Sequence, residues 1–262
     1  MPRLCFTINP NRKYSEIISY KKLFENHLFS GVELFYPYMH DEEFIKDYEK
    51  GVKEIINNDT EVVLHLPHGI DNDLTNYLEQ SKLIKRFKDA IDFGKKFNAT
   101  KYTLHLGNVK YGNRDLLIYN VVKVVDMLAS YAYPSIIMIE NMPSSAELGY
   151  SIEELKYIFS KIEAKNVGFI FDFGHANVAK KESLNEISEY LKEFKDILYH
   201  LHISDNDGKK DAHARIGSGN IDYLYLFSLL KDYQGLYCLE IIYNDVNDLL
   251  EYYDDIMKLF NK

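Results

Sequence analysis

The histidines and acids of this chain gather in short runs that each close an apolar stretch. VVLHLPHG carries His65 and His68, TLHLGN carries His105, MIENMP carries Glu140, and FIFDFGHAN carries Asp172 and His175. YHLHISDND carries His200, His202 and Asp205, DAHARIGSGN carries Asp211, His213 and Arg215, and CLEIIY carries Glu240. Seven of the nine histidines fall in these places; only His27 and His40 lie elsewhere. Side chains alternate faces along a strand, so Met138 and Glu140 share a face, as do Ile170 and Asp172, or Cys238 and Glu240. Each carboxylate thus ends an inward-facing apolar series, where a charge without a partner is very costly. Alone, any one of these acids reads as a helix cap or a salt-bridge partner. Together, with several imidazoles, their simplest common partner is a divalent cation. His200, two positions before His202 and therefore deeper, takes a structural role, while His68 stands between substrate contact and plain loop.

The elements that must position these groups alternate in type. Short β-rich apolar runs occur at Leu4–Asn9, Gly31–Tyr36, Val62–Pro67, Tyr102–Gly107, Ile136–Asn141, Gly168–Phe173, Leu198–Ser204 and Leu236–Ile242. Between them lie segments at helical spacing: Asn76–Phe97, Asp115–Tyr131, Ser151–Ile162, Ser183–Phe194, Ile221–Leu230 and Asp245–Phe260. Ser151 with Glu154, and Ser183 with Glu186, have the spacing of capping boxes. Strands alternating with helices call for a parallel sheet, because the crossover needs a helix to return the chain. Eight repeats at a spacing of roughly 30 residues suit a closed (β/α)8 TIM barrel, an α/β fold, better than an open doubly wound sheet. No Gly-rich phosphate loop follows the first run, since Pro10-Asn11-Arg12 stands there. Nothing in the chain marks a linker, so a single domain over residues 1–262 is expected. In such a barrel catalytic groups project from the C-terminal strand ends, where the acids and histidines fall.

Composition narrows the function classes. The 262 residues are 46% hydrophobic and 27% charged, with a net charge of −9, which suits a soluble globular protein and disfavours a polyanionic partner such as nucleic acid. No apolar run reaches membrane-spanning length and MPRLCFTINP lacks a signal-peptide core, so a cytoplasmic location without a membrane partner is expected. Cys5 and Cys238 form neither a disulfide framework nor a C-x-x-C zinc motif, and each falls in an apolar run where a buried, inert thiol is expected. The oligomeric state stays open.

These residues, in this order, resemble the xylose isomerase-like TIM barrel superfamily, both its sugar phosphate isomerase and epimerase branch and the endonuclease IV family. The phrases HISDNDG and HARIGSGNIDY look like the epimerase branch. The resemblance to that branch implies one divalent metal (Mn, Co, Mg or Zn) held by Glu140, Asp172, His202 and Glu240. Glu140 and Glu240 would also act as acid and base on the sugar, and His175 of the D-x-x-H motif would contact its oxygens. The resemblance to the endonuclease IV family implies up to three zinc ions. All nine of its ligands have counterparts: His65, His105, Glu140, Asp172, His175, His202, Asp211, His213 and Glu240. That family's DNA-binding loop is replaced by LPHGIDNDLT, and its segment after the fifth-strand glutamate by NMPSSAELG. The arginine that holds the sugar in epimerases is replaced by Ser204-Asp205-Asn206-Asp207, with Arg215 as the nearest substitute. The first expectation is therefore a metal-dependent isomerase or epimerase of a sugar or sugar phosphate, working by proton transfer through an enediolate. The alternative is a zinc-dependent phosphodiesterase at abasic DNA. The third is a barrel that binds a ligand without turnover. One ion per chain, two or three, or none needed distinguishes them.

Overall fold

A computed structural model describes residues 2–180 and 184–260. Eight strands close into one parallel barrel in chain order: β1 (Arg3–Ile8), β2 (Gly31–Phe35), β3 (Glu61–His65), β4 (Lys101–Leu104), β5 (Ile136–Glu140), β6 (Val167–Asp172), β7 (Leu198–Ile203) and β8 (Leu236–Leu239). The ring shuts where β1 pairs with β8, with Cys5 opposite Cys238. Every expected strand is present, although β4 and β8 end one residue before His105 and Glu240. His105 and Glu240 therefore stand just past the last ladder pairs, with the Glu240 N–H still donating to the Ile203 carbonyl at 3.3 Å.

Period-two alternation divides the strand residues between two cores. Cys5, Val63, Met138, Ile170, Leu236 and Cys238 fill the barrel interior. The opposite set, with Phe6, Leu64, Tyr102, Ile139, Phe171 and Leu201, packs against the surrounding helices. Those helices turn an apolar stripe inward: residues 80–95 bury Leu83, Phe87, Ala90, Ile91 and Phe93, and burial of such a stripe is what holds a helix of this kind in place. Both cysteines are buried and free.

Three local details depart from the sequence pattern. Residues 76–79 form turns, so the fourth-repeat helix starts at Gln80. Ser151 caps its helix by accepting from the Glu154 N–H at 3.2 Å, but the Glu154 carboxylate goes to Gly149 N–H and the Arg114 guanidinium, so the capping box is half made. Ser183, the cap residue of the second expected box, lies outside the described residues. The stretch after β6, expected as strand end and loop, is instead a helix over Phe173–Lys180. Among the described residues no helix is long and apolar enough to cross a membrane.

Candidate metal centre

The C-terminal end of the barrel brings the strand-end groups to one place. Asp172 closes β6 and accepts the His175 N–H at 2.5 Å through Oδ1. It thereby caps the helix that begins at Phe173, as short acceptor side chains do at helix starts. Asn141, next to Glu140, locks this junction: its Oδ1 accepts the Asp172 N–H at 2.8 Å and its Nδ2 donates to the Asp172 carbonyl at 2.9 Å. With Oδ1 spent on the cap, Asp172 Oδ2 is left facing the centre. On β7 a register shift against β6 sets His202 opposite Asp172 and His200 opposite Ile170. Both histidines point inward, and both are fully buried.

His202 Nδ1 is the hub. It lies 3.1 Å from Glu140 Oε1, 3.0 Å from Glu240 Oε2 and 3.7 Å from Asp172 Oδ2. Glu140, Asp172, His202 and Glu240 each offer a donor atom within 4.8 Å of the others. A second group meets the same standard: His65, His105 and Glu140, with His105 Nε2 at 2.9 Å and His65 Nε2 at 3.8 Å from Glu140 Oε2. A third gathers on Asp211, whose Oδ2 is 3.4 Å from His175 Nε2 and 2.8 Å from His213 Nε2. The loop carrying that pair is held down by Asp205, which takes the N–H groups of Asn206, Gly217 and Ile221. Asp205 is thus structural.

The electrostatics of the set are those of too many acceptors and too few cations. Burial, with Glu140, Glu240 and Asp211 facing it, pushes the Asp172 carboxyl up to about 7 against the pull of His175. Burial also disfavours charge on Glu240, yet His202 holds it down at about 2. The His213 imidazolium, though desolvated, is raised to about 9 by Asp211 and Glu240. Among the described residues, Asp172 Oδ2, Glu240 Oε2 and Asp211 Oδ1 are buried without a hydrogen-bond donor. Such orphaned acceptors are expensive in a dry interior, and a divalent cation would satisfy those of Asp172 and Glu240 together. The donors are oxygens and imidazole nitrogens, with no thiol among them, a set that suits Mg, Mn, Co or Zn.

Two sequence-predicted contacts divide. His68 joins the rim, its ring 4.7 Å from His65 and 5.1 Å from His105. Arg215 does not join: its guanidinium is held by Asp255 and by Glu251 at 3.0 Å, and lies over the Tyr252 ring. Three neighbours went unread. Phe35 stacks on His65 at 4.7 Å, Asn141 accepts from His175 Nδ1 through its carbonyl, and Glu33 of β2 is buried against His200 and His202.

Replacing His105 with Ala is expected to lower turnover about 10- to 100-fold, the usual cost of losing a group that orients a metal ligand. Thermal unfolding should shift by less than about 1 kcal/mol, as for a rim position, because Glu140 keeps its contact with His202. A large loss of stability with unchanged turnover would make His105 a structural residue.

The chain is 30% identical over 193 residues to Uncharacterized protein MJ1311 of Methanocaldococcus jannaschii, a stretch covering 70% of this chain and 64% of that one. It is 25% identical over 193 residues to a Probable endonuclease 4 of Clostridium botulinum, covering 69% of each. The alignments thus span about two thirds of these relatives' lengths. A solved D-tagatose 3-epimerase-like protein superposes with a TM-score of 0.79 at 22% identity, over 99% of this chain and 97% of that one. The family model described as Xylose isomerase-like TIM barrel matches residues 25–262, and the chain belongs to that family.

Proposed function

We propose that the protein is a metal-dependent isomerase or epimerase of a sugar or sugar-like polyol. The observation that supports it most is the pairing of Glu140 and Glu240, which come from strands on different sides of the barrel and converge on one nitrogen of His202. Glu140, Asp172, His202 and Glu240 would hold the divalent ion. When bound, such an ion draws electron density from a carbonyl and an adjacent hydroxyl and so acidifies the carbon between them.

The chain's own groups supply the rest. A carbon lying between the two glutamates can lose its proton to one carboxylate, giving an enediolate. A proton returned by the other glutamate, in its protonated form, to the opposite face of the same carbon inverts that centre. One delivered to the former carbonyl carbon, with loss of the adjacent hydroxyl proton, moves the carbonyl by one position. Glu240 Oε2, with no hydrogen-bond donor of its own, is free to take the proton. His175 is fixed through Nδ1 by the Asn141 carbonyl at 2.9 Å, and its Nε2 faces Asp211 Oδ2 at 3.4 Å. Beside Glu240 and His213 opens a cavity of about 380 Å³ walled by Phe35, Ile241, Ile242 and Tyr243. The volume suits a single sugar. Arg12 on that wall is already occupied by Glu16 and the carbonyls of Tyr243 and Asn244, and His213 beside it is paired with Asp211, which favours a neutral polyol there over a nucleic-acid backbone.

A second reading has a specific support. The groups His65–His105–Glu140 and His175–Asp211–His213 flank the four-residue centre, the arrangement needed for two or three ions and phosphodiester hydrolysis at abasic DNA. Incubation with a panel of ketoses in deuterium oxide separates the two. The proposal expects deuterium at one substrate carbon and no cleavage of an abasic duplex. Chelator-sensitive strand cleavage, with no exchange on any ketose, would overturn it.

A further inference from the structure

Beneath the candidate metal centre lies a fully buried carboxylate that the proposed mechanism does not use. Glu33 projects from the middle of β2 into the barrel interior, and its carboxylate is ringed by donors. Thr103 Oγ1 donates to Oε1 at 2.7 Å, while His202 Nε2 and His200 Nε2 reach Oε2 at 2.7 and 3.0 Å. Glu33, Thr103, His200 and His202 are each fully buried, so water does not compete for these contacts.

We propose that Glu33 is a positioning residue that decides which nitrogen of His202 faces the cation. An ionised carboxylate can only accept hydrogen bonds, so the His202 nitrogen against it must carry hydrogen. With Nε2 protonated, the neutral imidazole keeps its lone pair on Nδ1, and Nδ1 is the atom that Glu140, Asp172 and Glu240 surround. The opposite tautomer would turn an N–H toward the ion and leave two lone pairs facing each other at Glu33. Thr103 and His200 then have a purpose: they take the remaining acceptor capacity of Glu33 and stop its rotation. Imidazoles that bind metals usually donate their second nitrogen to a carboxylate in this way. Glu33, His200, His202 and Cys238 also offer donor atoms within 4.8 Å of one another. The short contacts that saturate Glu33 are those of hydrogen-bond donors, which argues against an ion of its own.

The inference rests on His202 being a ligand, and the test separates the two. Glu33→Gln in the full chain presents an amide that can donate to Nε2 and so favours the wrong tautomer. Three quantities are measured: Mn²⁺ or Zn²⁺ affinity by chelator competition, ions bound per chain, and the His202 tautomer by nitrogen-15 NMR. The expected result is the Nε2–H form in the wild type, a mixture or reversal in Glu33→Gln, and affinity weakened about 10- to 100-fold at unchanged stoichiometry. Unchanged affinity and tautomer would overturn the proposal, and so would loss of one whole ion per chain, which would make Glu33 a ligand. Failure of the wild type to bind either ion would sink the ligand assignment of His202, whereas binding with the hydrogen on Nδ1 would overturn only the role of Glu33. If Glu33→Gln does not fold, Thr103→Val decides by the same readouts. It frees one Glu33 oxygen without touching His202, and a several-fold weaker affinity with a mixed tautomer is required of it.

Discussion

Glu140→Gln and Glu240→Gln should each lower turnover by about 10²- to 10⁴-fold, the span that a positioned acid or base contributes to proton transfer, while leaving the protein folded. The amide keeps the shape of the side chain but cannot take up a proton. Glu140 is fully buried, 2.9 Å from His105 Nε2 and 3.1 Å from His202 Nδ1, and Glu240 lies against the same His202 nitrogen at 3.0 Å. Neither substitution opens a cavity, and each removes one negative charge from a cluster where carboxylates already crowd Asp172. Melting temperatures near or above that of the wild type are therefore expected. Exchange of the substrate proton with solvent, followed by NMR, reads the chemistry directly. Exchange at more than a tenth of the wild-type rate in either well-folded variant would remove that glutamate from the acid–base role. Equal losses in variants that have also lost their ion would show binding and catalysis failing together, so ion content must be measured beside each rate.

Removing the ion should cost both turnover and stability. The buried, donorless oxygens of Asp172, Glu240 and Asp211 are left in mutual repulsion without a cation. A site that binds only the folded state stabilises it by about 2.7 kcal/mol when the ion is present at a hundred times its dissociation constant. Exhaustive chelation should therefore lower the melting temperature by several degrees and abolish turnover, and re-addition of Mn²⁺, Co²⁺, Mg²⁺ or Zn²⁺ should restore both. His202→Ala should fail to recover with any of them, because it takes away the nitrogen on which three carboxylates converge. Chelated protein with unchanged melting temperature and turnover would contradict a metal centre here. Full recovery of His202→Ala would shift the ion toward the His65, His105 and Glu140 group.

Much of this protein is decided locally. The eight β-rich runs and the amphipathic segments between them sit within a few residues of the observed elements, because alternation of period two and helical spacing are written into neighbouring residues. The position of Glu140, Asp172, His202 and Glu240 at strand ends followed from the same pattern, and a barrel with parallel strands brings all such ends to one face. What the chain could not display locally is what depends on partners far away in sequence. Glu33, in the apolar run GVELF, offers only a lone acid on the same face as Phe35, and its meaning comes from His200 and His202, about 170 positions later. Arg215 has the right distance from β7 for a substrate contact, yet Asp255 and Glu251 on the last helix hold its guanidinium elsewhere. The helix after β6 was hidden because Asp172 reads as a strand-end acid and only the folded backbone shows it capping His175. Patterns of burial were therefore legible in the chain, since they repeat along it. The direction of each polar side chain was not, because hydrogen bonds and charge pairing between distant strands choose it, and those distances exist only once the barrel has closed.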